Sequence, residues 1–276
     1  MKKQLLFLIT AMLALLLVAC GSKRSSEPVS GEQAPAESVT TDEAALPSDD
    51  APEDESEDES EPITNNPVKI ERILVYGKYL SEEIEYDASG KIIKRTTFTV
   101  RDNKSTIDTW VDYEYDENGL LIKTVTYDEN KPSMTTENEY DSNGYPLKQY
   151  IYWPNGSIAG RFEYVTDADG NIIREYYYTL DSDKVNHWSA YEYDANGNQT
   201  KAIYYIDAGD YIESYSEYEY DSEGKLLTEN HYDHDGIMFS KNEYEYDGSG
   251  HVIKETDYKS DGEVHYWYTH EYEFFE

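Results

Sequence analysis

The chain runs to 276 residues and carries 58 acidic against 23 basic side chains, a formal net charge of −35. That balance excludes a nucleic-acid-binding surface, which is basic, and it disfavours a folded part lying on anionic lipid. One cysteine in the whole chain excludes an internal disulfide, and 29 tyrosines favour strands over helices.

Residues 1–19 read as a signal peptide. Lys2 and Lys3 give a short positive start, and Leu5 to Ala19 is an apolar run too short for a comfortable membrane span. The run stops at Leu17-Val18-Ala19-Cys20. This resembles the lipobox of bacterial lipoproteins. The resemblance implies cleavage before Cys20 and acylation of Cys20, with the membrane as a partner through the lipid. Acyl chains of that kind hold a protein at a surface without spanning it. An uncut anchor with an incidental cysteine is the alternative. The expected location is lipid-anchored and extracytoplasmic, with inner, outer or single membrane left open.

Residues 20–66 form the second region, the lipidated cysteine followed by an acidic linker. Ser, Pro, Ala, Glu and Asp dominate, and Asp49 to Glu61 is nearly continuous acid. Low hydrophobicity with high charge does not repay the entropy of folding, so a disordered tether spanning roughly 40 Å is expected.

Residues 67–276 are a repeat array. Glu-Tyr-Asp-x-x-Gly recurs at Glu85 to Gly90, Glu114 to Gly119, Glu139 to Gly144, Glu192 to Gly197, Glu219 to Gly224 and Glu245 to Gly250. A further copy, Glu163-Tyr164 to Gly170, has two extra residues, and Glu271-Tyr272 begins one that the chain end cuts short. A fixed period of this length signals a repeat architecture. Before each turn, Tyr-Glu-Tyr alternation as at Tyr113-Glu114-Tyr115 places the acid and the aromatics on opposite strand faces. Asp opens a turn by bonding its own backbone and Gly closes it at positive φ, which predicts a type I turn with a glycine bulge.

The following strand has an apolar pair, then a base four residues after the glycine and an aromatic eight after it. The bases are Lys94, Lys123, Lys148, Arg174, Lys201 and Lys254, with Thr228 in the remaining copy. The aromatics are Phe98, Tyr127, Tyr152, Tyr178, Tyr205, Tyr232 and Tyr258. Each base is expected to meet an acid across the hairpin, at positions such as Asp112, Glu114, Glu217, Glu219, Glu243 or Glu245. Such pairs select register more than they add stability. The opposite turns vary in length, so one edge of the array is uniform and the other is not. A variable edge marks either a binding side or an unconstrained one.

Val68 to Tyr76 reads as a lone first strand, with Arg72 and Tyr76 at the base-to-aromatic spacing, and Glu263 to Glu276 as a last strand. The expected fold is all-β: an antiparallel meander of about sixteen strands, coiled into a twisted single sheet or a partial shell, because large sheets curl. The pattern is similar to the YD, or RHS, repeat over residues 68–276. That resemblance implies a β-shell fold and a surface location. About seven repeats are too few to enclose another domain, so the family's encapsulating role is not carried over.

Candidate binding residues are Trp110, Trp188 and Trp267, each five residues before the Glu-Tyr tyrosine of its repeat. An exposed aromatic row would stack on sugar rings; the alternative is that the tryptophans pair with cross-strand neighbours. Asp167-Ala168-Asp169-Gly170, Asp181-Ser182-Asp183 and Asp233-His234-Asp235-Gly236 offer oxygens to calcium, but turn chemistry explains them, and none extends to a full calcium loop. The histidines show no metal-ligand spacing, and no nucleophile elbow, phosphate loop, zinc helix or Cys–His pair is present. No metal, cofactor or catalysis is expected. The expected function is a membrane-anchored binding or adhesion module for a cell-wall glycan, a peptide or an envelope protein. The alternative is a non-catalytic spacer or assembly subunit that pairs through open sheet edges at Val68 to Tyr76 and Glu263 to Glu276.

Overall fold

The structure, a computed structural model, describes residues 66–179 and 182–276; the signal peptide, Cys20, Asp181 and nearly all of the linker lie outside the described residues. Sixteen strands follow in chain order: β1 Val68–Val75, β2 Tyr79–Tyr86, β3 Ile92–Arg101, β4 Lys104–Tyr115, β5 Leu121–Asp128 and β6 Lys131–Tyr140. Then come β7 Pro146–Tyr152, β8 Ile158–Thr166, β9 Ile172–Thr179, β10 Val185–Tyr193 and β11 Gln199–Ile206. The last are β12 Tyr211–Tyr220, β13 Leu226–Asp233, β14 Met238–Tyr246, β15 Val252–Lys259 and β16 Val264–Phe274. Each strand pairs with its sequence neighbours, as the meander requires.

The sheet is not open or merely coiled. It closes into a barrel, because β1 pairs antiparallel with β16 from Val68 opposite Phe274 to Val75 opposite Tyr268. The terminal strands expected to be free edges are therefore spent on each other. Tyr76 N donates to Trp267 O and Phe275 N to Pro67 O at the two ends of this seam. The reason lies in the repeat. β1 carries the base-and-aromatic half of the pattern and β16 the Glu-Tyr half, and paired across the seam they make one whole unit. Arg72 stands opposite Glu271 across the seam as Lys123 stands opposite Glu114 within a hairpin.

The local devices are regular. In all seven motif hairpins the register slips at one place, between the residue before the motif's last strand residue and that residue, for example Glu85/Tyr86 and Glu114/Tyr115. A bulge at this point bends the strand and increases its twist, which curvature into a closed wall needs. The turn itself is the expected type: Gly119 N donates to Asp116 O, and Gly119 has φ 86. Asp116 Oδ1 accepts from the amides of Asn118 and Leu120, which locks the turn. The opposite rim mixes this turn with two-residue connections through Asp102-Asn103 and Glu129-Asn130, both at positive φ, and this mixture makes that edge variable.

Tyrosine has a second task. Tyr115 Oη donates to Ile92 O, Tyr140 to Leu121 O, Tyr193 to Ile172 O, Tyr220 to Gln199 O, Tyr246 to Leu226 O and Tyr272 to Val252 O, all at 2.8 or 2.9 Å. Each acceptor begins the second strand of the preceding repeat, so the motif tyrosine clamps one repeat to the last. Two copies are exceptions: Tyr86 of the first donates to the Glu71 carboxylate instead, and the copy with two extra residues has no tyrosine at this place. Its turn runs Asp167 to Gly170 like the others, and Thr166 occupies the clamp position. Tyr145 compensates, with its ring against Gly170 and its hydroxyl donating to Ala168 O.

The two faces of the wall differ. The inward face carries Ile84, Val111, Ile151, Phe162, Tyr177, Tyr191 and Ala202, all buried, together with Glu71, Arg95, Glu175 and His270. Outward, the expected ladder appears with more symmetry than a single hairpin gives. Arg72 lies between Glu83 and Glu271, Lys94 between Glu85 and Asp112, Lys123 between Glu114 and Glu137, Lys148 between Glu139 and Glu163, and Lys201 between Glu192 and Glu217. Contacts in this girdle include Arg72–Glu83 at 2.8 Å, Lys201–Glu217 at 2.8 Å and Lys254–Glu245 at 2.6 Å. They are partly exposed, so each contributes little stability.

Candidate functional site

The three tryptophans face outward on β4, β10 and β16. They are six strand steps apart from β4 to β10 and from β10 to β16, and four from β16 to β4 through the seam, so neighbours are separated by roughly 19 to 29 Å around the wall and form no single row. Each is also engaged within the wall. Trp110 stacks on Tyr127 with centroids 4.9 Å apart and planes 7° apart. Trp188 stacks on Tyr205 at 3.8 Å and 2°, approaches Tyr176 on the other side, and donates Nε1–H to Gly209 O. Trp267 meets Tyr76 edge-on and lies against Gly77. Cross-strand pairing is thus what the structure shows for them.

The acidic turns are occupied by their own backbone. Asp167 Oδ1 accepts from the amides of Asp169 and Asn171, and Asp233 Oδ1 from those of Asp235 and Ile237. These hydrogen bonds hold the Asp167 carboxyl below the usual carboxylate range against the opposing effect of burial. No group of three or more His, Cys, Asp or Glu side chains among the described residues is arranged to hold a metal.

Where the structure does leave room is the uniform rim. In successive repeats the residue after the turn glycine lies beneath the next turn's glycine: Lys91 under Gly119, Leu120 under Gly144, Tyr145 under Gly170, Asn198 under Gly224 and Lys225 under Gly250. Gly197 has nothing beneath it. The residue due there is Asn171, whose amide instead turns back to Asp167 Oδ2 at 2.9 Å. The result is a cleft of about 540 Å³ between the β8–β9 and β10–β11 turns. Asp167, Asp169, Asp194, Asn171, Asn196 and Tyr193 supply its polar lining. Tyr193 is fixed by its clamp bond, and Asp194 by the amides of Asn196 and Asn198. Asp169 and Asn196 are exposed at the mouth. No base lines the cleft. The arrangement offers carbonyl and carboxylate acceptors beside two tyrosines, Tyr191 and Tyr193, which suits hydroxyl or ammonium donors and repels anions.

Reading the sequence did not find this cleft. The signal was present, since Asn171 is the short polar member of a series that contains Lys91, Leu120 and Tyr145.

The variable rim holds most of the exposed large apolar side chains, including Ile107, Tyr211, Ile237 and Phe239. They are spread over several turns rather than gathered about a cavity.

No family model matches the chain, and no curated protein matches it. Among solved structures, a porin-like protein from Bacteroides uniformis ATCC 8492 is similar over 77% of this chain and 99% of its own, at a TM-score of 0.51 and 11% identity. A porin-like protein from Bacteroides vulgatus ATCC 8482 is similar over 76% and 99%, at a TM-score of 0.39 and 14% identity. The Photorhabdus luminescens Tc holotoxin pore aligns with 67% of this chain over 12% of its own, at a TM-score of 0.30 and 13% identity. At these identities the first likeness concerns the fold alone: a closed, sixteen-strand, porin-like barrel.

Proposed function

We propose that the chain is a membrane-tethered binding barrel. Lipid on Cys20 anchors it, residues 21–66 hold it off the bilayer, and the barrel stands in water and binds a neutral or amine-bearing cell-wall glycan at the rim cleft. The outward girdle supports the aqueous setting. A lipid-facing barrel wall is apolar, and an outward Lys or Arg at bilayer mid-depth costs about 2 to 4 kcal/mol. This wall turns Arg72, Lys94, Lys123, Lys148, Arg174, Lys201 and Lys254 outward. The porin-like fold therefore does not bring a porin's setting with it.

The observation that carries the binding reading is the open space beneath Gly197, which Asn171 of the preceding turn leaves empty by bonding back to Asp167; of the motif glycines, Gly90 of the first turn is likewise uncovered. Acceptors and two tyrosines at its wall match sugar hydroxyls, and three aspartates without a base favour neutral or cationic sugars over anionic ones. Pairing through open sheet edges loses support, because β1 and β16 pair with each other.

The test is a titration of the mature chain with cell-wall fragments and a neutral glycan panel. Binding weakened about tenfold by Asp169→Ala with Asn196→Ala, and unchanged by Trp110→Ala, is expected. No binding across the panel, or binding indifferent to the rim variants, would sink the reading.

A further inference from the structure

The outward girdle breaks at one place. Of its seven bases, five hold a carboxylate: Arg72 reaches Glu83 at 2.8 Å, Lys94 reaches Glu85 at 3.6 Å, Lys148 reaches Glu163 at 3.3 Å, Lys201 reaches Glu217 at 2.8 Å and Lys254 reaches Glu245 at 2.6 Å. Arg174 lies over the Trp188 ring instead, at 5.8 Å. Among the described residues Lys123 has neither an acid nor a ring, although the register sets it between Glu114 and Glu137.

The acids beside it are released as well. Glu163 on β8 accepts from Arg161 at 3.1 Å and draws Lys148 to itself at 3.3 Å. Lys148 stands opposite Glu139 as well as Glu163, so its turn toward β8 leaves Glu139 on β6 without a base. Glu137 is in no ion pair either, among the described residues.

These three groups line a cleft of about 380 Å³ on the outside of the wall, together with Tyr150 and Tyr152 of β7. Lys123 stands opposite Glu137, and Glu137 opposite Tyr150, so the lining runs as one row across β5, β6 and β7. The volume falls within the span of small-molecule sites, roughly 300 to 1,000 Å³. Glu137 and Glu139 are exposed, and Lys123 and both tyrosines are half-buried, so every group is open to solvent. The two rings lie 6.4 Å apart with planes 30° apart, which makes a shallow aromatic strip. Burial, and next the Glu137 carboxylate, push the Tyr152 phenol up, so its hydroxyl keeps its proton.

We propose that this wall cleft binds a neutral pyranose ring, with the C–H face of the sugar on the Tyr150–Tyr152 strip, hydroxyls donating to Glu137 and Glu139, and one hydroxyl oxygen accepting from Lys123. A hydroxyl both donates and accepts, so two carboxylate acceptors beside one ammonium donor suit a polyol. Tyrosine offers an apolar face with a polar tip, which matches a ring that is apolar on one side and hydroxylated at its edge. An anionic ligand meets two carboxylates here, and a cationic one meets Lys123. The cleft shares no residue with the rim cleft, so this site does not rest on the reading given to that one.

The experiment is saturation-transfer NMR of the full chain with the methyl pyranosides of glucose, galactose, mannose and N-acetylglucosamine, repeated on variants. At least one glycoside is expected to give a saturable signal. Its apparent Kd should rise at least about fivefold in Tyr150→Ala and in Glu139→Ala, and stay unchanged in Asp169→Ala with Asn196→Ala at the rim. Glu139 is exposed and unpaired, so Glu139→Ala reads binding apart from folding. No saturable signal from any glycoside, or equal affinity in the wall variants, would overturn the proposal. So would saturable binding of the zwitterion alanyl-alanine without binding of any glycoside. A loss confined to the rim variant would move the sugar to the rim cleft and overturn it too.

Discussion

Glu175 on β9 is 6% exposed, faces the barrel interior and stands opposite Tyr164 and Ser189. Burial pushes its carboxyl up from 4.5 to about 8. The folded state therefore keeps a proton that the unfolded chain has already released, between those two values. Stability falls with rising pH wherever the folded state binds more protons, so this carboxyl lowers stability progressively from about pH 4.5 and levels off above about pH 8. Worked through the linkage relation, the loss between pH 5.5 and 8.5 is about 3 kcal/mol. Glu175→Gln has nearly the same shape and no ionisation, so it is free of that loss. Urea unfolding followed by tryptophan fluorescence at pH 5.5, 7 and 8.5 isolates the effect. The stability of Glu175→Gln relative to the parent should rise by about 3 kcal/mol across the range, while the other acids cancel in the difference. Parallel pH curves for the two proteins would show that Glu175 is ionised in the fold, and would refute the reasoning.

Two further predictions concern the repeat's joints. Tyr193→Phe and Tyr220→Phe each remove a clamp hydrogen bond to the preceding repeat, and each should cost about 1 kcal/mol by urea unfolding. Gly170→Ala places a Cβ 2.5 Å from the Tyr145 ring at φ 90, whereas Gly156→Ala meets open space at φ 80. The first should cost at least about 2 kcal/mol, the second about 1, from backbone strain alone; equal losses would show that the Tyr145 contact carries no weight.

The repeat unit was legible because its signals are local. Asp and Gly announce the turn, a base four residues later announces the register, and Lys94, Lys123 and Lys201 meet acids among those expected. Closure was legible in principle, since Arg72 and Glu271 carry the two halves of the same pattern. It was missed because pairing residues that far apart in sequence has no periodic signature of its own. The inward contact of His270 with Glu71 has the same character: the two are 199 residues apart and meet only once the wall is complete. The tryptophans share a repeat position, which made them resemble one surface. Closure instead distributes them around the wall, where Tyr127 and Tyr205 cover two of them. The rim cleft depends on one short side chain, Asn171, bonding backward rather than forward, and spacing alone carries no trace of that choice.

Barrel closure underlies the enclosed inward face, the His270–Glu71 contact and the loss of free edges. Amide hydrogen exchange across residues 70–75 and 268–273 tests it most directly. In a closed barrel successive amides of both strands have partners on one side or the other, so the whole of each segment should be protected like the central strands. In an open sheet every second amide of β1 and β16 faces solvent. Those alternate amides exchanging within seconds, beside protected neighbours, would contradict the account.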